Sequence, residues 1–237
     1  MKTTLYKAEN RGHADHGWLN TYHSFSFAGY YNPEQIHFGA LRVLNDDTIA
    51  PDRGFGTHPH DNMEIITIPI EGTLTHKDSM GNGSEIREGD VQVMSAGSGV
   101  FHSEANKDHH QQVQLFQIWV FPNKKNVTPR YDQISLRDIE KENEFYQILS
   151  PSPDDQGVWI HQDAWFSMGK LKASSSHTYN IKRDGNGLYV FMIEGRAEVA
   201  GQILNKRDAL GLWETSSVDI EIKEDSWILL MDIPMQI

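Results

Sequence analysis

Two histidines separated by one residue, His58 and His60, are the strongest chemical signal in the sequence. They lie in the segment Gly56-Thr57-His58-Pro59-His60. On an extended strand, side chains at i and i+2 point to the same face, with backbone positions roughly 7 Å apart, so both rings can reach one metal ion. The alternative is a pair of solvated histidines beside a turn. For an isolated His-x-His motif these two interpretations are about equally good.

A second pair with the same spacing, His102 and Glu104, follows the glycine-rich segment Ser95 to Gly99. A turn-rich segment followed by a strand is what a β-barrel needs to place a second pair of ligands opposite the first. Three neutral imidazoles and one carboxylate match borderline divalent metals. We therefore predict a site for one divalent metal, with His58, His60, His102 and Glu104 as ligands.

This set of ligands has a consequence for charge and for open coordination positions. A divalent ion with one carboxylate ligand keeps a net charge of about +1, which attracts an anionic ligand such as an enolate or phenolate. Four protein ligands leave up to two positions open on an octahedral ion. Fe(II), Mn or Ni suits such an open site, whereas a structural zinc site is closed.

Glu64 is a competing carboxylate. It lies four residues after His60 and shares its face if the strand is unbroken. It could bind the metal in place of Glu104. We prefer an interpretation in which Glu64 orients a ligand histidine by a hydrogen bond.

The other histidines and the aromatic residues give weaker signals. The polar N-terminal segment that carries His13, His16 and His23 could cover the pocket or be a solvated loop. For the rest we favour surface positions, and the aromatic residues of the strands could line a pocket but are more often core. The remaining histidines considered are His76, His109, His110, His161 and His177, and the aromatic or sulfur-bearing candidates are Phe25, Phe27, Phe38, Phe55, Met63, Trp119 and Phe121.

The elements that must position these residues are predicted to be strands. Short apolar runs recur about every ten residues between Gly, Pro, Asn and Asp, which is typical of a sandwich or barrel. Only Ser135 to Gln147 is a candidate for a short helix, and it connects two similar halves. Ile70-Glu71-Gly72 reappears as Ile193-Glu194-Gly195, so we expect two related β-domains, 1–130 and 131–237, joined by a short helical linker.

Composition excludes several classes of function. The 237 residues contain no cysteine, which excludes disulfides, thiolate metal sites and cysteine nucleophiles. A formal net charge of -12 disfavours direct binding to nucleic acid. No segment is apolar enough for a signal peptide or a membrane span, so we expect a cytoplasmic protein.

The motifs also resemble a known pattern. Gly56-x-His58-x-His60 with Glu64 and Gly72 resembles the first cupin motif, and Gly89, Ser95-x-Gly97, His102 and Asn106 resemble the second, although His102 comes two residues late and Ser95 replaces a common proline. Within the cupins the sequence is most similar to pirins and bacterial pirin-like quercetin dioxygenases. The segments that carry this resemblance include Arg11-Gly12-His13, His23 to Ala28, Thr57 to His60, Leu74 to Gly81 and Met94 to Glu104.

The resemblance implies an all-β bicupin fold and a function. It implies metal ligation by His58, His60, His102 and Glu104, which argues against Glu64 as a ligand. It also implies one ion, expected to be Fe(II), with Mn, Ni, Co, Cu and Zn as alternatives. In the second half, Ile181, Arg183 and Gly187 occupy the positions of His58, His60 and Glu64, so that half is expected to bind no metal.

The implied activity is ring-opening 2,3-dioxygenation of a flavonol such as quercetin, with release of carbon monoxide. Its substrates would be a flavonol-like molecule and dioxygen, and Glu104 or Glu64 would be the general base. One alternative is a metal-dependent regulatory module with a protein partner, since pirins are also known in that role. The other is a cupin-type isomerase of a sugar or small acid.

Overall fold

The computed structural model describes residues 1–237, and the chain forms twenty strands in three sheets. The expectation of an all-β protein with two barrel-like halves is confirmed. There is no helix long and apolar enough to cross a membrane. The strands are β1 Lys2–Tyr6, β2 Gly12–Asp15, β3 Leu19–His23, β4 Leu41–Ile49, β5 Gly54–His60, β6 Glu64–Glu71, β7 Thr73–Asp78, β8 Gly83–Arg87, β9 Asp90–Ser95, β10 Val100–Asn106, β11 Val113–Val120, β12 Arg130–Ser135, β13 Tyr146–Ser150, β14 Val158–Trp159, β15 Trp165–Leu171, β16 Ser176–Asn180, β17 Asn186–Val199, β18 Gln202–Asn205, β19 Ala209–Trp213 and β20 Ser217–Pro234, and two short 3-10 turns span Ala8–Asn10 and Leu136–Asp138.

The N-terminal half is a sandwich of two sheets. A seven-stranded sheet has the order β12-β9-β6-β11-β4-β3-β2, and a four-stranded sheet has the order β5-β10-β7-β8. The two histidine-bearing strands, β5 and β10, are therefore neighbours in the smaller sheet. The seven-stranded sheet faces this smaller sheet across the interior of the sandwich.

The C-terminal half is a single nine-stranded sheet built around two long strands, β17 and β20. Their pairing shifts register at three places near Met192 to Ala197, and such bulges bend strands so that one sheet can curl around its own core. Fifteen buried apolar residues fill the interior of that curl. The corresponding interior of the N-terminal half holds two smaller apolar clusters and a cavity that histidines and carboxylates also line.

The two halves pack back to back through the largest apolar core, which contains 29 buried residues from both. Alternation along the strands produces this arrangement. On β11, Phe116 and Ile118 face the C-terminal half, while Gln117 and Trp119, which alternate with them, line a cavity of the N-terminal half. One strand therefore serves both the interface and the candidate site.

Two strands pair with a sheet outside the half in which the predicted boundary places them. Strand β1 pairs with β19 of the C-terminal sheet, and β12 pairs with β9 of the N-terminal sheet. The predicted boundary after residue 130 thus falls at the start of β12, and we propose that the change of domain comes after Ser135.

The expectation of a helix between the halves is wrong. The segment contains only the 3-10 turn Leu136–Asp138. Leu136 is buried in the shared core, and Asn143 adopts a left-handed conformation with φ of 54° while its side-chain oxygen accepts a hydrogen bond from the Lys172 backbone. A left-handed residue interrupts an α-helix. Anchoring at both points therefore favours an irregular connector made of turns.

Candidate metal centre

The two ligand pairs lie on adjacent antiparallel strands, and His102 of β10 is directly opposite His58 of β5. Pro59 and Phe101 point to the opposite, outer face and are exposed. The register shifts between His102 and Glu104, because β5 has two residues, Gly56 and Thr57, opposite the single Ser103 of β10. At this bulge β5 carries Gly54, where an added Cβ would overlap the carbonyl oxygen of Glu104.

The three imidazoles converge. Their ring centroids are 4.9 Å apart for His58 and His60, 4.4 Å for His58 and His102, and 4.9 Å for His60 and His102. One nitrogen from each ring lies within 4.8 Å of the others. Nitrogens at this separation can bind a common ion after small rotations of the rings.

The hydrogen bonds of the rings suit metal ligation. Nδ1 of His58 is 2.8 Å from the carbonyl oxygen of Gly56, to which it must donate, so Nε2 is left with its lone pair free. His102 is buried, yet neither of its ring nitrogens has a hydrogen-bond partner. A buried polar atom without a partner costs free energy, and a metal bond would remove that cost at one nitrogen.

Two of the histidines, His60 and His102, are held neutral at pH 7 and so can act as ligands. Burial, together with the neighbouring His58, lowers the pKa of His60 to about 4. Burial lowers the pKa of His102 to about 3, with His58 and His60 acting in the same direction. The same low-dielectric surroundings favour binding of an ion whose charge is balanced by a carboxylate.

Glu104 is the predicted source of that carboxylate. It is buried, and one of its oxygens lies within 4.8 Å of nitrogens of His102 and His76. Nε2 of Gln117 donates to both carboxylate oxygens, at 3.3 and 3.1 Å, and the Thr67 hydroxyl donates to the amide oxygen of Gln117 at 3.2 Å. Burial raises the pKa of Glu104 to about 7, against the lowering effect of Gln117. Without a cation, this carboxylate is poorly stabilised.

Glu64 does not share the face of His60, and that expectation is wrong. Strand β5 ends at His60, the chain turns at Asn62 with φ of 46°, and Glu64 begins β6 in the other sheet. Its carboxylate accepts a 2.6 Å hydrogen bond from Ser95 and lies near Arg130 and the backbone of His161. Glu64 therefore makes no hydrogen bond to a ligand histidine.

His76 is a residue that the sequence interpretation placed wrongly on the surface. It is buried on β7, with its ring centroid 5.3 Å from that of His102. Its position directly opposite Glu104 in the β7–β10 pairing explains this burial. The signal available in the sequence was parity, since His76 follows Leu74 by two residues on the same strand face.

A cavity of about 860 Å³ opens beside His58, His60 and Glu104. Of the aromatic candidates, Phe27, Phe55 and Trp119 line it, whereas Phe25 and Phe38 belong to the shared core. Met63 and Phe121 line a separate groove between the two halves. His58 and His60 thus border a cavity that also has aromatic walls.

The N-terminal segment covers this cavity, as one of the two interpretations expected. His13, His16 and His23 all line it, together with Trp18 and Tyr30. His23 Nδ1 is 2.8 Å from the side-chain oxygen of Asn45, which lines the same wall.

A second buried carboxylate, Asp47, lies in the cavity wall and was not identified from the sequence. The Thr21 hydroxyl donates a hydrogen bond to it. Burial raises the pKa of Asp47 to about 7, while the bond from Thr21 acts in the opposite direction.

The remaining candidates lie elsewhere. His109 and His110 are exposed, and His161 and His177 are partly exposed in the C-terminal half. In that half, Ile181 packs against the apolar core and Arg183 pairs with Asp163.

Comparison with known proteins agrees with this architecture over nearly the whole chain. The pirin family model matches residues 5–120, and a model described as the quercetinase C-terminal cupin domain matches residues 147–233. A quercetin 2,3-dioxygenase of Escherichia coli K12 is 39% identical over 230 residues, which cover 97% of this chain and 98% of that protein. The chain belongs to the pirin family.

Other relatives extend the comparison. A pirin-like protein of Caulobacter vibrioides is 41% identical over 222 residues, covering 93% of this chain and 95% of that protein. Among solved structures, the bacterial pirin YhhW from Escherichia coli, in complex with nickel(II), superposes with a TM-score of 0.93 at 38% identity, over 98% of this chain and 99% of that chain. The resemblance inferred from the motifs is confirmed, as is the two-cupin architecture.

Proposed function

We propose that this pirin binds one divalent transition metal through His58, His60, His102 and Glu104 and oxidises a flavonol with dioxygen. The observation that carries the proposal is the buried His102, whose two ring nitrogens lack partners where three imidazoles converge beside an aromatic cavity. When bound, the ion supplies Lewis acidity toward a substrate hydroxyl and redox chemistry toward dioxygen. The nickel in the YhhW structure supports a divalent ion, and the family resemblance supports Fe(II).

The cavity suits a planar aromatic substrate. Its walls include Trp18, Phe27, Phe55 and Trp119, whose rings can pack against a fused ring system in offset or edge-on geometry. Its volume of about 860 Å³ lies in the range typical of small-molecule sites. The relative named quercetin 2,3-dioxygenase directs the choice of aromatic substrate toward flavonols.

A side chain of the protein must also accept the proton of the flavonol hydroxyl. We assign Glu104 as its acceptor, because Glu104 lines the cavity and Gln117 holds both of its oxygens. Glu64 is not assigned this role, since it lies outside the cavity and bonds to Ser95. The balanced reaction converts one flavonol and one dioxygen into a depside and carbon monoxide.

The test is release of carbon monoxide from quercetin by protein loaded with one equivalent of Fe(II) or Ni(II). We expect turnover in the native protein and in Glu64→Gln, and loss of turnover together with metal binding in His58→Ala. Full metal binding without carbon monoxide release would contradict the assigned reaction and favour the regulatory alternative.

A further inference from the structure

Three of the buried nitrogens that lack hydrogen-bond partners lie together beside the metal centre. They are Nδ1 of His76 and both ring nitrogens of His102. The two residues are 1% and 2% exposed, so water does not readily satisfy these atoms. A metal bond to His102 accounts for only one of the three. The other two need each other or another partner.

The tautomer of His76 is fixed by Asp78. The Asp78 carboxylate accepts hydrogen bonds from the backbone of Met80 and from both the backbone and the side chain of Asn82, as an ionised group does. Nε2 of His76 lies 3.1 Å from the same carboxylate and must donate its proton to it. Nδ1 of the neutral ring is then an acceptor.

The spacing of the rings matches one hydrogen bond between them. Two imidazoles joined by an N–H···N bond of about 2.9 Å have centroids roughly 5 Å apart. The centroids of His76 and His102 are 5.3 Å apart, with the planes inclined by 52°. A modest rotation of either ring would therefore close the bond.

We propose that His76, held by Asp78, is a positioning residue that accepts a hydrogen bond from the ring N–H of His102 and so orients the nitrogen that binds the metal. This role rests on the proposed metal centre. A ligand histidine almost always donates its second ring N–H to a protein or solvent acceptor, and His58 already does so to Gly56. His76 supplies the missing acceptor for His102. Asp78, His76, His102 and the metal then form one chain of contacts.

A matched pair of substitutions tests the acceptor. His76→Asn keeps an oxygen acceptor near the Nδ1 position, whereas His76→Leu has similar size and no acceptor. Loss of such an orienting contact typically lowers metal affinity about 10- to 100-fold. We expect that loss of Co(II) affinity in His76→Leu, measured by competition with a chelator, and less than about a threefold change in His76→Asn.

A spectroscopic measurement separates positioning from a general structural effect. In the Co(II)-loaded native protein, the ring N–H of His102 should give a paramagnetically shifted proton NMR signal that exchanges slowly with water. It should exchange fast or vanish in His76→Leu and be retained in His76→Asn. Asp78→Asn should resemble His76→Leu, because the amide can donate to Nε2 and so shift the His76 proton to Nδ1.

The contrary outcomes are distinct. Unchanged affinity and unchanged exchange in His76→Leu would overturn the role of His76. Equal losses in the Asn and Leu variants would show that the imidazole itself is needed, as for a metal ligand, and would also overturn it. Failure of the native protein to bind Co(II) would instead overturn the metal centre on which the proposal rests.

Discussion

The same substitution at two buried glutamates should weaken metal binding at one and leave it nearly unchanged at the other. Glu104→Gln replaces the one carboxylate near the imidazoles, whereas Glu64→Gln changes a carboxylate bonded to Ser95 on the far side of the sheet. Attraction between a dication and a carboxylate about 4 Å away amounts to about 8 kcal/mol at an effective dielectric constant of 20. Desolvation of the free carboxylate offsets several kcal/mol of this. A net loss of about 3 to 4 kcal/mol corresponds to a roughly 100- to 1000-fold weaker metal affinity.

The assay is chelator competition with Ni(II) or Fe(II) at pH 7.5, with thermal unfolding of each metal-free variant as a check on folding. We expect Glu64→Gln to bind within about threefold of the native protein. A similar loss in both variants, or a loss in Glu64→Gln alone, would refute the assignment of Glu104 and show that Glu64 reaches the metal.

Three further predictions concern Glu64, the contact of Gln117 with Glu104, and the interface of the two halves. Burial raises the pKa of Glu64 from 4.5 to about 7 in the folded state. Between these two pH values the folded state holds a proton that the unfolded state has lost. The contribution of Glu64 to the free energy of unfolding is therefore fully present below pH 4.5 and is lost as the pH rises through 7. By pH 8 the contribution of Glu64 to stability has fallen by up to about 3 kcal/mol. In urea unfolding of metal-free protein at pH 5 and pH 8, Glu64→Gln should lessen the pH dependence by that amount and leave the part due to Glu104 and Asp47, whose pKa values burial also raises to about 7. Gln117→Leu removes the donor to both oxygens of Glu104 and should weaken metal binding about 10- to 100-fold by chelator competition, while Gln117→Glu, which adds a negative charge there, should not restore it. Arg207→Ala removes one of two buried arginine partners of Asp46 at the interface of the halves, the other being Arg11. It should lower the free energy of unfolding by about 1.5 to 3 kcal/mol in urea, with metal affinity retained; a loss under about 1 kcal/mol would contradict this reasoning.

The sequence was sufficient for the fold class and for the proximity of the ligand pairs. Strand periodicity and the repeated Ile-Glu-Gly segment led to two β-domains, and the i, i+2 spacing placed His58 and His60 on one face. These inferences depend on local geometry, which sequence determines directly.

The predictions that failed depended on chain turns and on strand pairing, which the spacing of residues does not determine. Glu64 has the parity of His60, but the turn at Asn62 transfers it to another sheet, where the same parity points the opposite way. The parity of His76 with Leu74 indicates burial, but the nearness of His76 and Gln117 to Glu104 comes from pairing between strands distant in sequence. The connector lacks an α-helix because the buried Leu136 and the left-handed Asn143 hold it in a series of turns.

The most direct test of the account is anomalous diffraction at the metal absorption edge, from crystals of protein purified without added metal and then loaded with one equivalent of Fe(II) or Ni(II). The account predicts a single anomalous peak in each chain, within bonding distance of His58, His60, His102 and Glu104. A peak bonded to Glu64 with Glu104 turned away, or a second site of comparable strength built from residues of the C-terminal half, would contradict it.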